Sequence, residues 1–242
     1  MAIRTGSLRT WQTSPNLSAV AVRKRPKGVI SIASAETGAM IAYLSDRANA
    51  VTAVVILCCG AAMGLVARGH QEAGVALGLW AIIADDVDGE IARRTKNRTM
   101  ATKAIGKALD AFSDLIFGSV IPAIVIASFI DLPASAVFTA FMILIGALRL
   151  AYFDYFGLDH RGYSTGLPLS YALPVLAAIL IVDHTIALLE LGVVLPAVFV
   201  PLSLLHIAPF KVKASGTLVH VITICVAVTG SAGLLITSRT GT

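Results

Sequence analysis

The sequence predicts an all-α polytopic membrane protein, a bundle of about seven transmembrane helices. Three observations predict it. Hydrophobic residues make up 57% of the 242 before the 20 glycines are counted; soluble domains reach only about 45–50% with glycine included. Charged residues make up only 14%, and mean hydropathy is +0.83. The apolar residues also fall in successive runs long enough to cross about 30 Å of hydrocarbon at 1.5 Å per residue. This composition excludes a disordered chain, a nucleic-acid-binding domain and an ordinary water-soluble enzyme. The cysteines Cys58, Cys59 and Cys225 lie in apolar runs and give neither a disulfide framework nor zinc spacing.

Residues 1–34 are polar, basic and rich in Ser, Thr and Pro, which predicts a mostly disordered cytoplasmic arm. Its cluster Arg23, Lys24, Arg25 and Lys27 is suited to anionic headgroups. Residues 35–48 mix Met40, Ile41, Tyr43 and Leu44 with Glu36, Asp46 and Arg47, the pattern of an interfacial amphipathic helix. The transmembrane domain then occupies 49–238, with spans near 49–67, 73–92, 104–130, 134–156, 167–183, 185–205 and 216–236. Between 167 and 205 the break is placed at Asp183 and His184, so six spans is the alternative. The basic residues favour seven. With a cytoplasmic N-terminus, all 19 lysines and arginines but Arg68 and Arg239 fall inside, whereas six spans would move Lys211 and Lys213 outside. The chain is thus expected as a multi-pass protein of the cell (inner) membrane.

The informative stretch closes the second span: Asp85-Asp86-Val87-Asp88-Gly89-Glu90-Ile91-Ala92-Arg93. The third span carries Gly106, Asp110 and Asp114. Carboxylates within spans are costly and mark function by default. Asp85 and Asp88 are three apart and Asp110 and Asp114 four apart, so each pair shares a helix face. Measured from Arg93 and Lys103 at 1.5 Å rise, Asp88 lies ~7 Å, Asp110 ~10 Å, Asp85 ~12 Å and Asp114 ~16 Å deep. On sequential antiparallel helices these acids meet in one layer open to the cytoplasm. Two Mg²⁺ or Mn²⁺ would neutralise the four negative charges, and all-oxygen ligand sets suit these hard cations. Two metals held by acids clamp the attacking and leaving oxygens of phosphoryl transfer. Gly89 and Gly106 let a ligand approach the helix backbone, and Arg93 can grip phosphate. Glu90 falls off the acid face and reads as solvated or ion-paired.

These residues resemble the CDP-alcohol phosphotransferase family, whose signature is D-x2-D-G-x2-A-R, a spacer, then G-x3-D-x3-D. Asp85, Asp88, Gly89, Ala92, Arg93, Gly106, Asp110 and Asp114 supply it in order. The spacer, residues 94–105, is longer than the family's, a change that costs a surface loop little. The resemblance implies a helix bundle with a six-helix catalytic core, usually homodimeric, binding a CDP-lipid and two divalent cations. It implies Asp85, Asp88, Asp110 and Asp114 as metal ligands, with Asp114 also the general base. It implies Gly89, Ala92, Arg93 and Gly106 at the nucleotide, joined by Asn49 and Thr52 of an N-x2-T element.

Two further segments resemble the phosphatidylserine synthase branch of that family. One is Gly106-Lys107-Ala108-Leu109-Asp110 running on to Pro122-Ala123; the other is Arg149-Leu150-Ala151-Tyr152-Phe153 with Thr165-Gly166-Leu167-Pro168. The branch implies L-serine as acceptor and CDP-diacylglycerol, or an ether-lipid equivalent, as donor. Arg149 is then the candidate for the serine carboxylate or a lipid phosphate, with Tyr163 and Thr165 expected to line the acceptor pocket. Inositol phosphate, glycerol phosphate and choline are alternative acceptors, for which Lys103, Lys107, Arg149 and Arg161 could supply cations. A small cation transporter is the reading outside this class. Against it, the outer halves of the spans lack a polar track and no inverted repeat is visible.

Overall fold

A computed structural model describes residues 39–95, 97–186, 190–213 and 217–240. The basic arm over 1–34 lies outside the described residues, as does the start of the expected interfacial helix. What is described of that helix is a short 3-10 turn, Met40–Ser45. It ends where Asp46 caps the first membrane helix by accepting a hydrogen bond from the Asn49 amide.

Seven helices follow among the described residues. They are α1 (Arg47–Ala67), α2 (Gln71–Arg94), α3 (Met100–Ala127), α4 (Ala134–Phe156), α5 (Ala172–Ile186), α6 (Leu191–Ile207) and α7 (Thr217–Thr240). Each answers to one predicted apolar run. By length and composition, α1, α3, α4 and Leu169–Ile186 are fit to cross a membrane, while Leu191–Ile207 and Val221–Thr237 are shorter apolar stretches. α2 has the length but carries the acids. Asp183 and His184 do not break the chain as predicted; α5 runs through both to Ile186. His184 Nε2 lies 3.2 Å from Glu72 Oε1 on α2. His184 thereby has a polar partner on the neighbouring helix.

α2 is the hub, packing on α1, α5 and α7 and touching α3. Val55, Cys59 and Ala62 of α1 meet Val75, Leu79 and Ile82 of α2, with Leu173, Leu176 and Leu180 of α5 in the same core. Small residues allow the close approach, as lipid supplies no hydrophobic drive between helices. α3 widens into a π-helical turn at Ile116–Val120. Pro122 follows and has no N–H to donate to Gly118, a mismatch the wider turn takes up. The turn buries Phe117, Gly118 and Ser119, and a Cβ on Gly118 would stand 2.6 Å from Leu169 Cβ.

One element escaped the sequence reading. The α4–α5 and α6–α7 connections pair as a short antiparallel ribbon, β1 (Tyr163–Thr165) with β2 (Lys211–Lys213). Its register sets Tyr163 opposite Lys213, Ser164 opposite Val212 and Thr165 opposite Lys211. Asp159 shapes the approach to β1, its carboxylate accepting from the amides of Arg161 at 2.9 Å and Tyr163 at 3.0 Å. Those bonds, Tyr163's foremost, hold its carboxyl below the usual range.

Candidate active site

Asp85 and Asp88 of α2 meet Asp110 of α3 at one point. One carboxylate oxygen from each lies within 4.8 Å of the others. Asp114, expected as a fourth member, does not join this trio. It stands one turn further along α3 and lines a cavity with Asp85, Asp86 and Arg149. Asp88 is buried and accepts a hydrogen bond from the Thr52 hydroxyl of α1. Asp85 Oδ1 is buried with no hydrogen-bond partner among the described residues. A buried carboxylate oxygen without a donor is costly. A divalent cation meets that need, and a hard all-oxygen donor set is the kind it prefers. The trio therefore fits the divalent metal that the family uses.

A cavity of about 190 Å³ opens beside the trio. Asn49, Thr52, Gly89, Ala92 and Gly106 line it with Asp88 and Asp110, so five of the six expected nucleotide-site residues come together. Arg93, the sixth, does not line it. Its guanidinium pairs with Glu90 at 2.8 Å with the side chain 62% exposed, and Arg94 pairs with the same carboxylate at 2.5 Å. Glu90 is thus ion-paired, as its position off the acid face predicts.

The sequence reading missed what builds the rim of this cavity. Arg98 and Asp46 form a two-point ion pair, Nη2 to Oδ1 at 2.8 Å and Nε to Oδ2 at 3.1 Å. Their side chains are only 8% and 12% exposed. Arg98 Nη2 also donates to Asn49 Oδ1 at 2.6 Å, and Asn49 Nδ2 donates to the carbonyls of Tyr43 and Thr102. These bonds tie Asn49 of α1 to the 3-10 turn and to the start of α3. A Cβ on Gly106 would run into Asn49 Oδ1 and stand 3.0 Å from Arg98 Nη2. Glycine here makes room for the network as well as for a ligand. Arg98 carried no signal in sequence beyond its charge, since its partner lies 52 residues away.

The second cavity, about 400 Å³, takes Asp85 and Asp114 into its wall where the first takes Asp88 and Asp110. Asp85, Asp86, Asp114 and Arg149 give its polar wall, and Phe153, Leu158, Ile222 and Val226 are among its apolar lining. Arg149 is buried, with its guanidinium 5.0 Å above the Phe153 ring. Tyr163 and Thr165, expected here, do not line the cavity; Ser164 does. On β1, alternation turns the neighbours of the inward Ser164 the other way. Thr165 instead accepts a hydrogen bond from Lys211 Nζ at 3.0 Å. Lys213 of β2 joins the lining and was not foreseen.

A helix bundle with membrane-length apolar helices that gathers three carboxylates beside two cavities has the class of site that metal-assisted chemistry on a phosphate uses. A model of the CDP-alcohol phosphatidyltransferase family matches residues 46–226, well over half of the chain. The chain belongs to that family and is a transferase of substituted phosphate groups. No curated protein matches the chain. The matched region begins at the Asp46 cap and ends within α7, so it takes in both cavities and the ribbon.

Proposed function

We propose that this chain transfers the phosphatidyl group of CDP-diacylglycerol, or of an ether-lipid equivalent, to L-serine and releases CMP. The observation that carries the reading is one acid layer facing two cavities of different chemistry. Asp88 and Asp110 line the smaller, with the residues that match the family's nucleotide positions. Asp85 and Asp114 line the larger, with Arg149. Serine is a zwitterion with one hydroxyl. A cavity with a buried cation and carboxylates suits both of its charges and its nucleophile. Phosphorylated acceptors carry more negative charge and would draw on Lys213 beside Arg149, since Lys103 and Lys107 line the smaller cavity and Arg161 lines neither. Choline would leave Arg149 without an anion.

In this mechanism Asp85, Asp88, Asp110 and Asp114 are the groups that would hold two Mg²⁺ or Mn²⁺. Bound cations supply charge neutralisation and Lewis-acid polarisation of the phosphate. Arg149 holds the serine carboxylate and so sets the direction of the hydroxyl. Asp114 accepts the hydroxyl proton, which requires hydrogen-bond reach to that oxygen. The serine oxygen forms its bond to the lipid-bearing phosphorus as the bond to the CMP oxygen breaks. Asn49, Thr52, Gly89, Ala92 and Gly106 position the departing nucleotide. The acid layer opens to the cytoplasm of the cell (inner) membrane, supported by the distribution of lysine and arginine, and the working unit is a homodimer, supported by the resemblance.

The test is CMP release by the purified protein in detergent, with CDP-diacylglycerol and Mg²⁺ or Mn²⁺, across serine, inositol phosphate, glycerol phosphate and choline. Serine-dependent CMP, lost in Asp114→Asn, is expected. CMP with another alcohol alone would overturn serine while leaving the transfer chemistry in place.

A further inference from the structure

The peptide carbonyl of Leu167, next to the Pro168 that lines the larger cavity, gathers buried side chains from α4 and α6. Arg149 Nε of α4 donates to it at 3.3 Å, and His206 Nδ1 of α6 lies 3.0 Å from the same oxygen. Both side chains are buried. A carbonyl oxygen has two lone pairs and only accepts, so His206 must carry its proton on Nδ1 and the two donors share the acceptor. The Leu167 peptide is itself held to α6. Its amide donates to Leu205 O at 3.0 Å, satisfying a carbonyl that the last turn of α6 leaves open, and the Gly166 amide donates to Phe210 O at 2.9 Å. Gly166 has φ +75, and a Cβ there would collide with the His206 carbonyl. Only glycine lets the segment lie this close to α6.

We propose that His206 is a positioning residue for the acceptor: it fixes the Leu167 carbonyl, which fixes Arg149 by its Nε and leaves the terminal guanidinium nitrogens for an anionic group of the bound alcohol. The inference rests on the larger cavity being the acceptor site. It gives α6, which contributes no residue to that cavity's lining, a direct hold on acceptor affinity. His206 does not touch the acceptor, and its effect passes through Arg149.

The experiment compares His206→Leu, His206→Asn, Arg149→Ala and the Arg149→Ala/His206→Leu double variant. Acceptor KM, CDP-diacylglycerol KM and kcat are read for the alcohol that supports CMP release. His206→Leu should raise acceptor KM about three- to tenfold, the range for one hydrogen bond, with the donor's KM unchanged. Asparagine can donate from Nδ2 to the same carbonyl, so His206→Asn should recover most of the loss. In the Arg149→Ala background His206→Leu should cost little more. Equal shifts in both KM values, or effects that multiply, would overturn the proposal. A readout free of turnover is the ¹⁵N spectrum of histidine-labelled protein, with His206→Asn identifying the signal. A proton on Nδ1 is expected, and a ring protonated only on Nε2 would refute the hydrogen bond even if no alcohol released CMP.

Discussion

Replacing Gly106 by alanine sets two well-known effects against each other. Alanine in a helix interior is favoured over glycine by about 1 kcal/mol. The new methyl, however, would run into Asn49 Oδ1 and crowd Arg98 Nη2. Asn49 cannot swing away freely, because its amide nitrogen is held by Tyr43 O at 3.0 Å and Thr102 O at 3.2 Å. The bond that gives way is Arg98 Nη2 to Asn49 Oδ1 at 2.6 Å. A hydrogen bond to a charged group contributes about 1.5–3 kcal/mol, so the clash wins by about 0.5–2 kcal/mol. At roughly 2–4 °C per kcal/mol for a chain of this length, thermal unfolding in detergent should fall by a few degrees. Gly89→Ala is the matched comparison. Its Cβ would meet only Arg93 Nη1, at an ordinary 3.7 Å, so α2 keeps the full helix-propensity gain and unfolds slightly higher. Both methyls reduce the 190 Å³ cavity, and both should raise the KM for the CDP-lipid. A Gly106→Ala protein that is stabilised as much as Gly89→Ala would refute the argued wedge between α1 and α3.

Three further outcomes follow from the geometry. Arg98→Met strands the Asp46 carboxylate at a nearly buried site and should destabilise the fold by about 3–5 kcal/mol, whereas adding Asp46→Leu should recover much of it; denaturation of the single and double variants decides this. Asp88→Asn and Asp110→Asn should each abolish high-affinity Mn²⁺ binding seen by titration, while Asp114→Asn, outside the trio, should lose on the order of 10²–10⁴ in turnover with weaker effects on Mn²⁺. Because the Asp159 carboxyl is lowered in the folded chain by amide donors, it stabilises the approach to β1 above its unfolded pKa, about 3.9, and that contribution fades as pH falls through the folded value. The protection of the Tyr163 amide, its exchange rate relative to the unstructured rate at the same pH, should therefore fall in acid, and Asp159→Asn should flatten that dependence.

The positions of the seven helices and of the acids were legible in the sequence because both depend on local spacing. Apolar runs and three- and four-residue intervals survive without knowledge of partners. Other features depend on pairs distant in the chain. The Arg98–Asp46 clasp, the His184–Glu72 contact and the β1–β2 ribbon are of this kind. A polar pair at 183–184 reads as a break only while Glu72 is unknown. Likewise Tyr163 and Thr165 looked suited to a pocket as side chains, but strand direction handed that place to Ser164. Family spacing picked out Asn49, Thr52, Gly89, Ala92 and Gly106, which converge on one cavity, and could not foresee that Arg93 spends its charge on Glu90.

The pairing of Thr165 with Lys211 has a consequence for how the molecule is made. The two strands are separated by all of α5 and α6, so β1 leaves the ribosome long before its partner exists. Until α6 has been threaded and β2 has emerged, Ser164 has no Val212 opposite it and the larger cavity lacks part of its wall. The acid layer, on α2 and α3, is in place well before then. The chain thus acquires its charged centre early in synthesis and its second chamber only near the end. A half-synthesised protein already bears the acids that can hold metal, while the compartment that would select an alcohol is still unbuilt.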